Sequence, residues 1–243
     1  MLDQLRHAER LATVGQLASG VAHELGAPLQ IVMGRAEMIG EGDATPADLS
    51  THARLILEQG RRMTKIIRQL LDFARPRSTQ KDRVDLRQIA ELSCALLRPL
   101  AAKQRIEIVR EDEAPSAAAE ADAEQLQQAL MNVVMNGMQA MPSGGVLKVG
   151  VRSTVARPPA DVGGAEGHYL ALSVEDEGAG IPAESLAHVF EPFFTTKPVG
   201  EGTGLGLAVA YGIVHEHQGW IDVESQVGKG SRFTFFFPEA ERA

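Results

Sequence analysis

The first part of the chain is patterned for helices. Leu49, Ala53, Ile56, Gly60, Met63, Ile67, Leu70 and Ala74 step by four and three residues throughout, which is the spacing of a coiled-coil seam with one weak Gly. An equivalent series upstream reads Leu11, Val14, Ala18, Val21, Leu25, Pro28, Val32, Arg35 and Ile39. Pro28 and Arg35 interrupt it, and Pro28 lacks an N–H and crowds the preceding turn, so a kink is expected there. Gly40 to Pro46 reads as the connecting turn, with Thr45 as N-cap and Pro46 at the first helical position of the second helix. A lone pair of helices buries such seams poorly. Either the hairpin lies on the rest of its own chain, or it pairs with a second copy as a four-helix bundle, and the second arrangement is the one expected.

After Arg75-Pro76-Arg77-Ser78 the period changes. Val84–Leu86 and Arg105–Val109 read as short strands, Leu86–Ala102 and residues 122–141 as helices, and Val146–Val155 and His168–Val174 as longer strands. Residues 156–167 carry Pro158-Pro159 and Gly163-Gly164 and read as a loop. A helix over about 204–217 and strands at Trp220–Glu224 and Ser231–Phe237 complete the order. Strands and helices do not strictly alternate, so the second part is expected to be α+β, with its helices on one face of a sheet.

Composition narrows the function. With 44% hydrophobic and 23% charged residues, the chain is ordinary for a globular protein, and its 243 residues suggest one or two domains. A net charge of −8 argues against a general nucleic-acid or polybasic membrane-surface binder. The charge is uneven: residues 1–78 hold 10 basic and 9 acidic side chains, against 14 and 23 in residues 79–243. That asymmetry supports a boundary after residue 78. Cys94 is the sole cysteine, so an intrachain disulfide and a thiolate zinc cluster are both excluded. No apolar run reaches the ~20 residues of a membrane span. The chain therefore reads as cytoplasmic, or as the cytoplasmic end of something longer.

Four motifs carry chemistry. His23-Glu24 lies on the first helix, off the seam, where an imidazole can act as a nucleophile and the neighbouring carboxylate can take the Nδ1 proton. Asn132 and Asn136, four apart, share a helix face that suits oxygen ligation of a hard cation such as Mg²⁺, while Leu126, Leu130, Val133 and Val134 face inward. Asp176-Glu177-Gly178-Ala179-Gly180 follows a strand and offers a positioned acceptor beside bare backbone. Gly200-Glu201-Gly202-Thr203-Gly204-Leu205-Gly206 opens a helix and forms an anion cradle of N–H groups. Taken singly, each motif is compatible with a solvated face or a plain turn.

In this order and spacing they resemble the sensor histidine kinases of two-component systems. Phe190-Glu191-Pro192-Phe193-Phe194-Thr195-Thr196-Lys197 resembles that family's phenylalanine-rich box, and Gly228-Lys229-Gly230 its last glycine box. The resemblance implies a dimerisation and phosphoacceptor hairpin over 1–78, a linker at 79–81, and a Bergerat-type ATP-binding domain over 82–243. It implies His23 as phosphoacceptor with Glu24 as acid/base partner, Asn136 on Mg²⁺, and Asn132 near the phosphates. Asp176 would read the adenine amino group, with Gly178 and Gly180 shaping its pocket. Lys197, Gly202, Thr203, Gly204, Leu205 and Gly206 would hold the triphosphate under a lid. The implied reaction is autophosphorylation by ATP, then transfer to a response-regulator receiver domain. Where related gyrase and chaperone ATPases carry a Glu that activates water, this sequence has Asn132, which favours transfer over hydrolysis. An ATP-driven clamp and a silent nucleotide-binding scaffold are the alternatives. Ala27 stands where many relatives have Thr or Asn, so weak phosphatase activity is expected.

Overall fold

The computed structural model describes residues 18–41, 45–74, 80–114, 117–160, 162–197 and 204–240. The chain divides into two units, one of residues up to Ser78 together with Pro192–Leu205, the other Thr79–Glu191 with Gly206–Ala243.

The first unit contains a helical hairpin of α1 (Ala18–Gly40) and α2 (Pro46–Ala74). Pro28 lies inside α1 and is buried. The upstream positions Leu11 and Val14 lie outside the described residues. The start of α2 forms as expected from Thr45-Pro46. Thr45 Oγ1 accepts from the Asp48 N–H, and the Thr45 N–H donates to Asp48 Oδ2 at 3.1 Å, a reciprocal capping box with Asp48 in the place usually held by Glu. The Thr45 hydroxyl also donates to Asp48 Oδ2 at 2.6 Å, and this bond, with that from the Thr45 N–H, holds the Asp48 carboxyl below its ordinary range. Of the expected α2 seam, Ile56, Gly60 and Met63 are half-buried, whereas Leu49 and Ile67 stay exposed, as do Leu29, Ile31, Met33 and Met38 on α1.

The second unit is a two-layer α+β domain. Its elements are β1 (Asp82–Asp85), α3 (Leu86–Lys103), β2 (Ile106–Arg110), β3 (Ala118–Ala121), α4 (Ala123–Ala140), β4 (Gly145–Ala156), β5 (Gly167–Asp176), α5 (Ala183–Leu186), α6 (Gly206–Glu216), β6 (Trp220–Gln226) and β7 (Gly230–Pro238). The main sheet runs β2-β4-β5-β7-β6, with β2 parallel to β4 and every other pair antiparallel, and β1 pairs with β3 in a separate ribbon. Alternation in the strands decides which face is covered. Leu147, Val149 and Val151 of β4, Leu170, Leu172 and Val174 of β5, and Phe233, Phe235 and Phe237 of β7 point into one core. The apolar stripes of α3 (Leu86, Ile89, Ala90, Cys94, Leu97), α4 (Leu126, Leu130, Val133, Val134, Met138) and α6 (Ala210, Ile213, Val214) close it. Burying each such Phe or Leu contributes roughly 1.5–3 kcal/mol. The opposite face holds a smaller cluster in which Trp220 stacks on Phe236 and meets the Tyr169 edge.

Asp residues start both long helices. Asp85 Oδ1 accepts from the Arg87 N–H at 2.9 Å, and Asp122 Oδ1 accepts from Glu124 and Gln125 N–H groups at 3.1 Å. Two elements escape the periodicity argument. β3 is four residues of Ala and Glu with no β-branched side chain, and α5 is a single turn after Pro182. β3 is specified by its pairing with β1 rather than by local pattern.

Candidate functional site

The site in the second unit is organised around α4. Its inward stripe, Leu126, Leu130, Val133 and Val134, is buried as the spacing requires, and this turns Asn132 and Asn136 to the half-buried flank. Asp176 is the last residue of β5, set between Leu147 of β4 and Ser231 of β7 by the strand register. It is only 4% exposed. A Cβ at Gly137, the residue after Asn136, would lie 3.3 Å from Asp176 Cβ and 3.5 Å from its Oδ2. The carboxylate thus rests against α4 where that helix has no side chain, one residue from Asn136.

The loop after Asp176 is bolted down on three sides. The Gly178 N–H donates to Asp176 Oδ1 at 2.8 Å. The Ala179 N–H donates to the Ala140 carbonyl at 3.1 Å, tying the loop to the end of α4. The Gly228 N–H donates to the Ala179 carbonyl at 2.8 Å, and the Ile181 N–H to Ser225 Oγ at 2.7 Å, tying it to the β6–β7 hairpin. Such close approach explains the glycines. A Cβ on Gly178 would come within 2.7 Å of both Ala140 Cβ and its carbonyl oxygen. Gly180 has φ +72° and a Cβ there would collide with the Gln226 carbonyl. Gly230, at φ +101°, leaves room for the Asp176 carbonyl itself.

The start of α6 meets the middle of α4. Gly206, its first residue, would place a Cβ 3.8 Å from Asn132 Cβ. The N–H groups opening α6 therefore sit beside Asn132, on the helix that also carries Asn136 and flanks Asp176. A helix start bordered by amides and bare glycine suits phosphate oxygens, and a buried carboxylate among backbone groups suits a base amino group. The residues present fit a magnesium nucleotide on this ground: the Asn136 amide could offer a neutral oxygen ligand, and Gly206 leaves open the space a side chain would fill.

The remaining expected residues stand apart from this geometry. His23 and Glu24 lie on the backbone of α1. Gly202 and Thr203 lie outside the described residues. Lys197, Gly204 and Leu205 belong to the first unit, where the Lys197 N–H donates to Thr195 Oγ1 at 3.2 Å. In that unit the Phe193 N–H donates to the Gly204 carbonyl at 3.0 Å, with φ of +68° and +63° at the two residues. The chain thus departs at Phe193 and returns at Gly204.

Sequence reasoning passed over two contributors. Gly137 was hidden inside a strong helical pattern, where a glycine costs about 1 kcal/mol relative to Ala and its presence was the available signal. His217, just past the last residue of α6, is 2% exposed. Ile213 and Val214, four and three residues before it, place it on the buried face of α6, and that spacing was legible. Cys94 is buried, and burial pushes its thiol above the usual range.

Residues 121–241 match the family described as histidine kinase-, DNA gyrase B-, and HSP90-like ATPase, and residues 13–79 match the His Kinase A (phospho-acceptor) domain. Sensor histidine kinase ZraS of Klebsiella oxytoca is 36% identical over 232 residues, covering 95% of this chain and 47% of that protein. Signal transduction histidine-protein kinase AtoS of Escherichia coli is 33% identical, covering 97% and 36%. The chain spans about half the length of the curated relatives it matches, or less. Among solved structures, full-length ShkA in complex with AMPPNP aligns at TM-score 0.63 and 27% identity over 94% of this chain and 46% of that one. Histidine kinase ThkA, solved with response regulator protein TrrA, shares the fold at TM-score 0.77 and 24% identity, covering 98% and 65%.

Proposed function

Because the chain belongs to the sensor histidine kinases of two-component systems, we propose that it moves the γ-phosphoryl group of ATP to His23 and then to an aspartate of a response-regulator receiver domain. The observation that carries this reading is the meeting of three features on α4: the Asp176 carboxylate against Gly137, Asn136 beside it, and the start of α6 against Asn132. A nucleotide laid along α4 would have its base at Asp176 and its phosphates at Asn132, Asn136 and the Gly206 N–H.

His23 Nε2 uses its lone pair to form a bond to the γ-phosphorus, the bond from that phosphorus to the β–γ bridging oxygen breaks, and ADP leaves with the electron pair. Glu24, next in the chain, takes the Nδ1 proton and so keeps Nε2 nucleophilic. In the second step a carboxylate oxygen of the receiver domain attacks the phosphorus, the phosphorus–nitrogen bond breaks with its electron pair staying on Nε2, and the proton held by Glu24 returns to Nδ1, leaving neutral His23. Lys197, Gly202, Thr203, Gly204 and Leu205 are assigned to the phosphates, and Gly178 and Gly180 to the adenine pocket. Mg²⁺, when bound through Asn136, supplies charge neutralisation for the phosphate oxygens. Asn132 is an amide and takes no proton from water, which supports transfer to His23 over an ATP-hydrolysing clamp.

Association of two copies through α1 and α2 is part of the same proposal, supported by the exposed Leu29, Ile31, Met33, Met38, Leu49 and Leu57. Among the described residues no helix is long and apolar enough to cross a membrane, which accords with a kinase core working in the cytoplasm.

Incubation with γ-labelled ATP tests the reading. The expected product is an acid-labile, alkali-stable phosphoprotein, lost in His23→Ala and dependent on Mg²⁺. Label retained in His23→Ala overturns the site assignment.

A further inference from the structure

The first residues of the second unit, the start of α4 and the end of α6 converge on one buried imidazole. His217 Nδ1 lies 2.7 Å from the Ile213 carbonyl oxygen, which can only accept, so Nδ1 carries the proton. Its Nε2 lies 3.0 Å from the backbone nitrogen of Asp122, which can only donate, so Nε2 is bare. Both partners are satisfied by a single neutral tautomer. Asp122 is itself the N-cap of α4, and its Oδ2 accepts from the Gln80 N–H at 3.3 Å. Lys81 Nζ donates to the Glu216 carbonyl at 2.9 Å, at the end of α6. One residue therefore joins the capped end of α4 to the last turn of α6, and Gln80 and Lys81 are tied to the same two ends.

These are the two helices whose other segments bring Asn132, Asn136 and Gly206 together. We propose that neutral His217 is a positioning residue for the nucleotide pocket, holding α4 and α6 in register, and that its protonation releases Gln80 and Lys81 and weakens nucleotide binding. The proposal rests on the assignment of the ATP site to α4 and α6. The chemistry is a loss of acceptor: a proton on Nε2 turns it toward the Asp122 N–H as donor against donor, and one bond must break. The charged groups facing the ring are Lys81, which opposes protonation, and Asp122, which favours it. Burial is the largest influence and holds the ring below its ordinary range, so the cluster is closed at neutral pH and opens only in acid.

The test measures the affinity of the full chain for a non-hydrolysable ATP analogue with Mg²⁺, at about pH 5.5 and about pH 7.5. His217→Gln keeps an acceptor for the Asp122 N–H without a titratable ring, and His217→Phe removes it. Ionisation of the nucleotide is common to all three proteins and cancels in their ratios. The expected result is a fall for the wild type on the order of fivefold greater than for His217→Gln, with His217→Phe weak at both values and His217→Gln rescuing it. Wild type and His217→Gln changing in parallel overturns the proposal. Amide exchange in the wild type decides the same point without substitution. Protection of Asp122 and Gln80 should be lost with the midpoint of the His217 ring, and protection unchanged while the ring titrates overturns the proposal. Absence of nucleotide binding by the wild type at either pH rejects the ATP-site reading instead, and amide exchange then judges the His217 cluster by itself.

Discussion

The Gly178 N–H donates to Asp176 Oδ1 at 2.8 Å, so the buried carboxylate at the end of β5 is held by the loop that follows it. Its other oxygen lies over Gly137 of α4. A side chain two residues further along would disturb both sides of the arrangement, because Gly178 also abuts Ala140.

Asp176→Asn should therefore weaken nucleotide binding by about 1.5–3 kcal/mol, the range for a hydrogen bond to a charged group, while the melting temperature changes little. Gly178→Ala should lose binding and stability together, since its Cβ meets Ala140 at 2.7 Å. Calorimetric titration with the ATP analogue and a thermal melt separate the two outcomes. Unchanged affinity in Asp176→Asn would remove Asp176 from the site.

Gly230→Ala should destabilise the second unit without touching nucleotide directly. At φ +101° its Cβ would run into the Asp176 carbonyl, and strain of this kind costs about 1–3 kcal/mol. A urea titration of the variant checks this, and a midpoint equal to the wild type refutes it.

Asp85→Ala should cost about 1 kcal/mol by removing the α3 cap, a drop of about 2–4 °C in melting temperature for a unit of this size. Arg87 beside Asp85 holds its carboxyl below the ordinary value of 3.8. The folded state thus favours the ionised form. The cap contributes fully above the unfolded value and is lost as pH falls through the folded one. Melts of both proteins should differ at neutral pH and converge in strong acid.

His217 is likewise held below its ordinary value, here by burial. The folded state favours the neutral ring, so the unfolded chain takes up the proton first as pH falls below 6.5. Stability should decline from there down to the folded value and then level off. A pH series of urea midpoints in wild type and His217→Gln should diverge over that window; parallel series would contradict it.

Ala27 offers no side-chain hydrogen bond to a water on α1. Phosphate release from a phosphorylated receiver domain should be slow in the presence of ADP, and Ala27→Asn should raise it several-fold. Fast release by the wild type would show that another group orients the water.

Much was legible in single residues. Thr45-Pro46 marks the start of α2 because an N-cap hydroxyl and a proline at the next position act within one turn. The alternation Phe233-Thr234-Phe235-Phe236-Phe237 reads as a strand because successive side chains face opposite sides. The inward stripe of α4 likewise dictates that Asn132 and Asn136 share an outer flank. These are local rules, and the amino-acid sequence by itself determined the longer elements, their order, and the chemistry available at Asp176, Asn136 and His23. Tertiary structure alone decided which of these groups meet. Asp176 reaches α4 only because the sheet order β4-β5-β7 sets β5 beneath it and Gly137 leaves a gap. β3 exists only because Asp82–Asp85 is there to pair with it. His217 is locked in one tautomer only because Asp122, 95 residues earlier, brings its N–H to Nε2. Contacts between residues so far apart depend on how whole elements pack, and no periodicity in the chain encodes them.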